Sequence, residues 1–495
     1  MHQLSVWQTT LALSMALATR TAADICSKLK ADGITVEEPL TLDYNLDVWR
    51  YWSAACGDLR PLCITAPSSA LEMSQIMKEL HHFETLFAVK SGGHMPNSGF
   101  ASIQDGLLIS TKNLDQVFFN SDDQTAIIGP GLSWGDAHQG LHGTGRTLVG
   151  GRMAGVGIGG FMLGGGMSFL SSQYGWAANN VINFEVVLGN GTVVNANKKV
   201  NTDLFDSLKG GGNNFGIVTA YTLQTHPQDH KVWGGNYIFA SDRGPQILEA
   251  LRDFVEYYPD DKAAIIMTAE RTALLDTWIM FLFYDDHKPP QGVFDNFTAI
   301  GPLDLTKTWN SYYDLLKHND FFILPGKRYV IATETMPLPN KTVGAEVMQT
   351  YHDYWHNVSK TVLGVPGVIG TLAFQPMPKA ITSKAKARDG DLIDFPIDQD
   401  YIVLELDFSY ELSKSDNKID AAIKSPFKGF NNITSDYIDN GMLPNAYRPL
   451  FMNDANYAQD YWGRLRTTEQ ARQTRRRYDP EGFFQKRTSG GWRLE

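Results

Sequence analysis

At 495 residues the chain exceeds the about 250–300 residues at which a single hydrophobic core stops growing, so two lobes are expected. Hydrophobic residues make up 43% and charged residues 20%, an ordinary globular balance, and 26 Phe, 20 Tyr and 11 Trp suffice to line a pocket for a flat ligand. A net charge of −11, with no basic block beyond "RQTRRR" (472–477), argues against nucleic acid or another polyanion as partner; that run is expected on a solvated helix face.

The N-terminus carries an apolar stretch from Leu11 to Ala18, then small residues with Thr21 and Ala23 at the −3 and −1 positions of a cleavage site, so residues 1–23 read as a secretory signal. No Lys or Arg precedes the apolar stretch, and a buried N-terminal helix is the competing reading. Five Asn-x-Ser/Thr sequons, at Asn190, Asn296, Asn340, Asn357 and Asn432, agree with export. No later apolar run reaches the about 18 residues of a membrane span. The three cysteines, Cys26, Cys56 and Cys63, include no CxxC pair, and no His/Cys spacing suits zinc or iron–sulfur, so no metal site is expected. One disulfide and one leftover thiol are expected in an oxidising compartment, with Cys26–Cys63 the favoured pair because it staples the N-terminal arm to the first strand unit.

From Pro61 short apolar runs alternate with the helical stretch "SALEMSQIMKELHHF", whose Leu71, Ile76, Met77 and Leu80 are expected on one face, giving an α/β unit. Residues 150–166, "GGRMAGVGIGGFMLGGG", form the densest glycine tract. "NVINFEVVLGNGTVV" follows as two strands joined by an Asn-Gly turn. Beyond Pro227 glycine thins out, and strands such as "TWIMFLFYDD" and "YIVLELDFSYE" alternate with amphipathic helices, which reads as a second lobe.

Clustered glycines let backbone N–H groups approach an anion, and a pyrophosphate is the usual anion served this way. "GVGIGG" alone is weak, and no acidic residue follows about 20 residues later on a second strand, so a Rossmann nicotinamide site is disfavoured. A second turn, "VKSGGHMPNSG", holds a histidine where glycine would be ordinary.

Taken in order, "SGGHMPNSG", "AIIGPGLSWGDAHQGL", "GVGIGGFMLGGGMSFLSSQYGWAANNVINFEVVLGNGT", "DLFDSLKGGGNNFGIVTAYTLQTHP" and "YDPEGFF" resemble the berberine-bridge-enzyme-like branch of the vanillyl-alcohol-oxidase flavoprotein superfamily, in particular its fungal members. The resemblance runs from about residue 40 to the C-terminus. It implies an α+β fold of two lobes: a PCMH-type FAD-binding domain over 24–226, completed by a C-terminal return over 441–495, and an antiparallel-sheet substrate domain covered by helices over 227–440. FAD is the implied cofactor, and His94 is the position whose imidazole the family bonds to the flavin C8α methyl. Its turn would contribute Lys90, Ser91, Gly92, Gly93, Met95, Asn97 and Gly99 to the cofactor site. Further contacts are expected from Gly150, Gly157, Gly159, Gly160, Gly164, Gly165 and Gly166, and from Gly212, Asn213, Asn214, Gly216 and Val218. Met153 stands where some members place a second, cysteinyl tether, so one tether is expected. Phe161 replaces a histidine frequent in plant members. Asn453 matches a family asparagine, whereas Asp454 stands where tyrosine is usual.

In "VLELDFSY" alternation sets Leu404, Leu406 and Phe408 on one face and Val403, Glu405, Asp407 and Ser409 on the other. In the resembled architecture the second face looks toward the flavin, where desolvation raises a carboxyl pKa into the range of a general base. Glu405 matches the base-bearing strand of plant relatives and is the expected proton acceptor, with Asp454 as competitor; a solvated sheet face is the alternative. The expected function is a secreted FAD-linked oxidase that oxidises a small hydrophobic secondary metabolite by hydride transfer to flavin N5, with molecular oxygen as acceptor. An oligosaccharide or alcohol oxidase, a flavin-dependent cyclase and a non-catalytic flavin-binding protein remain as alternatives.

Overall fold

A computed structural model describes residues 25–495, so the signal expected over 1–23 lies outside the described residues. The first lobe opens with a helix over 25–31 and a four-stranded sheet in the order Val36–Glu37, Cys63–Thr65, Leu107–Ser110, Phe87–Lys90, the last three parallel. The Cys26–Cys63 disulfide staples that N-terminal helix to the sheet across a Cα separation of 6.2 Å, as expected, and Cys56 remains a buried free thiol. Helix Ala70–Leu80 starts at Ser69, whose Oγ accepts the Glu72 N–H. It packs Met73, Ile76, Met77 and Leu80 on the sheet. Leu71, expected on that face, is 77% exposed. Five residues before Ile76 is about 140° away around a helix, and Met73 occupies the i−3 place instead.

Five antiparallel strands follow, in the order Val117–Asn120, Thr125–Ile128, Ile217–Gln224, Val181–Val187, Val193–Asn197. Gly191, at φ +78°, takes the left-handed turn position between Val181–Val187 and Val193–Asn197.

The second lobe is a large antiparallel sheet ordered Leu303–Asp304, Val232–Ala240, Asp276–Tyr284, Ala263–Arg271, Ile369–Met377, Tyr401–Tyr410, Arg328–Pro337, with Lys307–Trp309 also paired to Val232–Ala240. Helices Gly244–Glu256, Gly344–Lys360 and Asp416–Asp439 bury one face of it, sealing Leu404, Leu406 and Phe408 against Leu251, Trp355, Ile423 and Phe430. The opposite face, bearing Glu405 and Asp407, turns to the first lobe. Past 441 the chain returns to that lobe: Leu450, Met452 and Tyr461 join its glycine-tract core, and Phe483 and Phe484 pack with Phe87 and Leu107. Among the described residues no helix is long and apolar enough to cross a membrane.

Candidate active site

Strand Phe87–Lys90 delivers the chain into a turn in which Gly93 sits at φ +69° and Gly99 at φ +89°, conformations that carry a steric cost for residues with a Cβ. Gly92 meets Gly157 backbone to backbone. A Cβ on Gly92 would lie 2.5 Å from the Gly157 Cα, and one on Gly157 would lie 2.4 Å from the Gly92 nitrogen. Ser91 fastens the two loops, its Oγ donating to the Pro130 carbonyl at 2.6 Å and accepting from the Gly159 N–H at 3.1 Å. The two glycine motifs, some 65 residues apart, thus form one wall by close backbone approach.

His94 projects from this wall into a cavity of about 410 Å³ between the lobes. Its ring lies parallel to Trp52, with centroids 4.3 Å apart and planes within 1°, and Trp52 stacks in turn on Tyr329 at 4.1 Å. Desolvation pushes the imidazole down to about 4, so near neutral pH it is uncharged and keeps a free nitrogen lone pair.

Ser91, Gly92, Gly93, His94, Met95, Gly157, Gly159, Gly160, Gly212, Asn213, Asn214, Gly216, Val218 and Asn453 line the cavity, with Met153 and Phe161 beside them. A Cβ built on Gly160 meets nothing within 4 Å, so this glycine opens onto free space. Seven residues expected at the cofactor instead stand behind the wall. Lys90 donates to the Asp47 carbonyl and lies 4.3 Å from the centre of the Tyr51 ring. Asn97 spans to the Ala455 carbonyl at 2.9 Å and accepts the Tyr457 N–H at 3.2 Å, while Gly99 accepts from Ser489 Oγ at 2.6 Å. Gly150 faces the Trp134 ring and Gly164 the Asn453 amide. Gly165 and Gly166 take φ +102° and +75°, and the Gly166 N–H donates to Asn453 Oδ1 at 3.1 Å. Their glycines serve turn geometry and packing; a motif read as a run of contacts cannot separate these from the residues that line the cavity.

Across the cavity the large sheet supplies the polar groups. Register aligns Glu405 with Thr333 and Ala373, and Asp407 with Ile331 and Thr371; Thr371 is in turn opposite Glu270. Glu405, Asp407 and Glu270 therefore share the face that lines the cavity, and Asp454 joins them from the C-terminal return. Burial raises all four carboxyls. Asp407 is pushed up to about 8 by desolvation and by the charges of Glu270 and Asp454. Desolvation, then the Asp454 charge, lifts Glu405 well above the carboxylate range, with Arg152 opposing. Asp454 rises less, to about 6, because Arg152 and a hydrogen bond from Gln375 Nε2 at 2.8 Å favour its charged form. Arg152 Nη2 donates to Gln375 Oε1.

Arg152, Gln375, Glu270 and Trp52 escaped the sequence reading. The alternation in Ala263–Arg271, with Thr268 and Glu270 opposite the helix-packed Met267 and Ala269, would have exposed Glu270. Gln375 and Asp454 are 79 residues apart, and no local pattern announces their meeting.

A glycine-lined wall with a neutral histidine facing an acid-bearing sheet suits a bound flavin redox centre. The FAD binding domain family matches residues 61–197. The chain is 46% identical over 473 residues to an uncharacterized FAD-linked oxidoreductase of Arthroderma benhamiae, covering 95% of this chain and 94% of that one. Its fold is similar to that of a carbohydrate oxidase from Microdochium nivale, at TM-score 0.75 and 22% identity, covering 96% of this chain and 99% of the other. A berberine bridge enzyme variant, a reticuline dehydrogenase, matches at TM-score 0.74 and 17% identity, covering 95% and 98% of the two chains. The chain belongs to the FAD-linked oxidoreductases. It is an FAD-dependent oxidoreductase.

Proposed function

We propose that the protein is a secreted FAD-linked oxidase that dehydrogenates a small hydrophobic metabolite, with molecular oxygen as the final acceptor. Bound in the cavity, FAD supplies hydride acceptance at N5 and the passage of electrons to oxygen. Gly160, which opens onto free space, leaves room for the cofactor, while the close contact of Gly92 with Gly157 and of Gly159 with Ser91 holds the wall in shape. His94 offers a neutral nitrogen for a single covalent tether to the flavin C8α carbon, and Met153 on the same wall cannot form a thioether of the cysteinyl kind. Ile266, Phe281, Phe322, Ile323 and Phe451 line the rest of the space, which excludes water and favours an apolar substrate over a sugar. The single observation that carries the reading is the pair of half-buried Glu405 and buried Asp454 lining one cavity with His94: the pair takes up the proton coupled to hydride loss.

Secretion is supported by the 1–23 leader pattern, the Cys26–Cys63 bridge, and the exposure of all five sequon asparagines, Asn190, Asn296, Asn340, Asn357 and Asn432. The test is to incubate the yellow protein with a metabolite extract of its source in an oxygen electrode and weigh the products. Oxygen uptake with a product lighter by two hydrogens is expected. Bleaching of the flavin with no oxygen uptake on admission of air would contradict the oxidase.

A further inference from the structure

The two carboxyls of the proposed acceptor pair are equipped differently, and the difference lies in one amide. Arginine carries donors only, so the amide of Gln375 must turn its oxygen to Arg152. That leaves the Gln375 NH₂ to face Asp454 Oδ2, which it reaches at 2.8 Å. Gln375 is wholly buried, on the site face of strand Ile369–Met377 opposite Val403, and has no solvent to turn to. Arg152 is itself anchored, its carbonyl accepting from Asn319 Nδ2 at 3.0 Å, with Asn319 1% exposed. Asp454 therefore receives a donor whose orientation is fixed two residues away. Among the described residues no hydrogen bond reaches the Glu405 carboxyl.

We propose that Gln375, locked by Arg152, is a positioning residue that makes Asp454 the proton acceptor of the pair and leaves Glu405 as the partner that keeps its proton. A donated hydrogen bond favours the ionised form of the group that accepts it, whereas a desolvated carboxyl without such a bond stays neutral. The groups facing Asp454 are Arg152 from the glycine-tract loop, Gln375, and Glu405 and Asp407 from strand Tyr401–Tyr410, with Glu270 acting on Asp407 from the next strand but one. Only Arg152 among them is cationic, and it acts on both members of the pair, so the amide is what separates them. In turnover the substrate proton passes to Asp454 Oδ as the hydride leaves, and protonated Glu405 places no second negative charge beside it. The inference rests on the pair being the acceptor, as read above.

Infrared pH titration of the FAD-loaded protein tests the protonation order without a substrate. In the wild-type protein the protonated-carboxyl stretch that titrates at the lower pH should vanish in Asp454→Asn and persist in Glu405→Gln. In Gln375→Met, with an unaltered flavin spectrum as the folding control, that same band should titrate at a pH about one unit or more higher, a tenfold shift in its proton equilibrium. Loss of the lower-pH band in Glu405→Gln instead would overturn the assignment even if Gln375→Met did not fold. An unmoved midpoint in folded Gln375→Met would overturn the role of the amide. If both carboxyl variants retain wild-type oxygen uptake while the bands behave as stated, the proton-acceptor reading fails and the protonation order survives.

Discussion

Asp407 shows what burial without a partner costs at the scale of one residue. Its Oδ1 is buried with no hydrogen-bond partner, and desolvation together with the Glu270 and Asp454 charges lifts it to about 8. The unfolded chain ionises Asp near about 3.9, so between that value and 8 the folded state holds the extra proton. Stability from this group is complete below the unfolded value and is lost as pH rises through the folded one. Asp407→Asn removes that loss: its unfolding free energy relative to wild type should climb from about pH 4 to about pH 8, by at most ~1.4 kcal/mol per pH unit, and then level off. Thermal unfolding across this range checks it, and a pH-independent difference would contradict the burial account. His94 has the opposite sign. Its neutral form is the one desolvation favours, and the stacked Trp52 covers one face of its ring.

At the scale of elements, the strand alternation in "VLELDFSY" was legible because one side of the sheet is covered by helices and a period of two then separates the faces without ambiguity. The same logic, extended to Ala263–Arg271, reaches Glu270. Helix phasing was less secure: Leu71 and Ile76 are both apolar, but their angular separation excludes a common face. The glycine tract was legible as a cluster and not as a surface. Gly157 illustrates why some of it is irreplaceable, since an added Cβ would fall 2.4 Å from a backbone nitrogen that cannot move away. Gly157→Ala should destabilise by about 1–3 kcal/mol and lower flavin content, read from thermal unfolding and the visible absorbance per protein. Gly160→Ala meets no protein atom, so any loss it causes should appear in flavin content alone. The disulfide belongs to this scale too. Cys63→Ser frees a closure of 37 residues and should cost about 2–4 kcal/mol in denaturant unfolding, with no change in the flavin spectrum.

At the scale of the molecule, two lobes were expected from length and from the thinning of glycine beyond Pro227. Which atoms meet between them was not. The cavity is assembled from the His94 turn, the glycine tract, five strands of the large sheet and the C-terminal return, and the contacts that matter, Arg152 to Gln375 to Asp454, span three of these segments. Sequence carries each segment's local habit; only the packed whole decides which polar group lacks a partner. With a substrate in hand, anaerobic flavin reduction should slow ~10²–10⁴-fold in Asp454→Asn, as for a lost general base, and by at least about tenfold less in Glu405→Gln. Equal losses would mean that the two carboxyls act as one interchangeable unit.

The whole account turns on FAD lying across this cavity with His94 at its edge. Acid precipitation of the yellow protein followed by peptide mapping tests that directly. Flavin should stay with the polypeptide and map to the peptide containing His94, and His94→Ala should release it on the same treatment. Quantitative release of free FAD from the wild-type protein, or flavin attached to any other peptide, would contradict the placement.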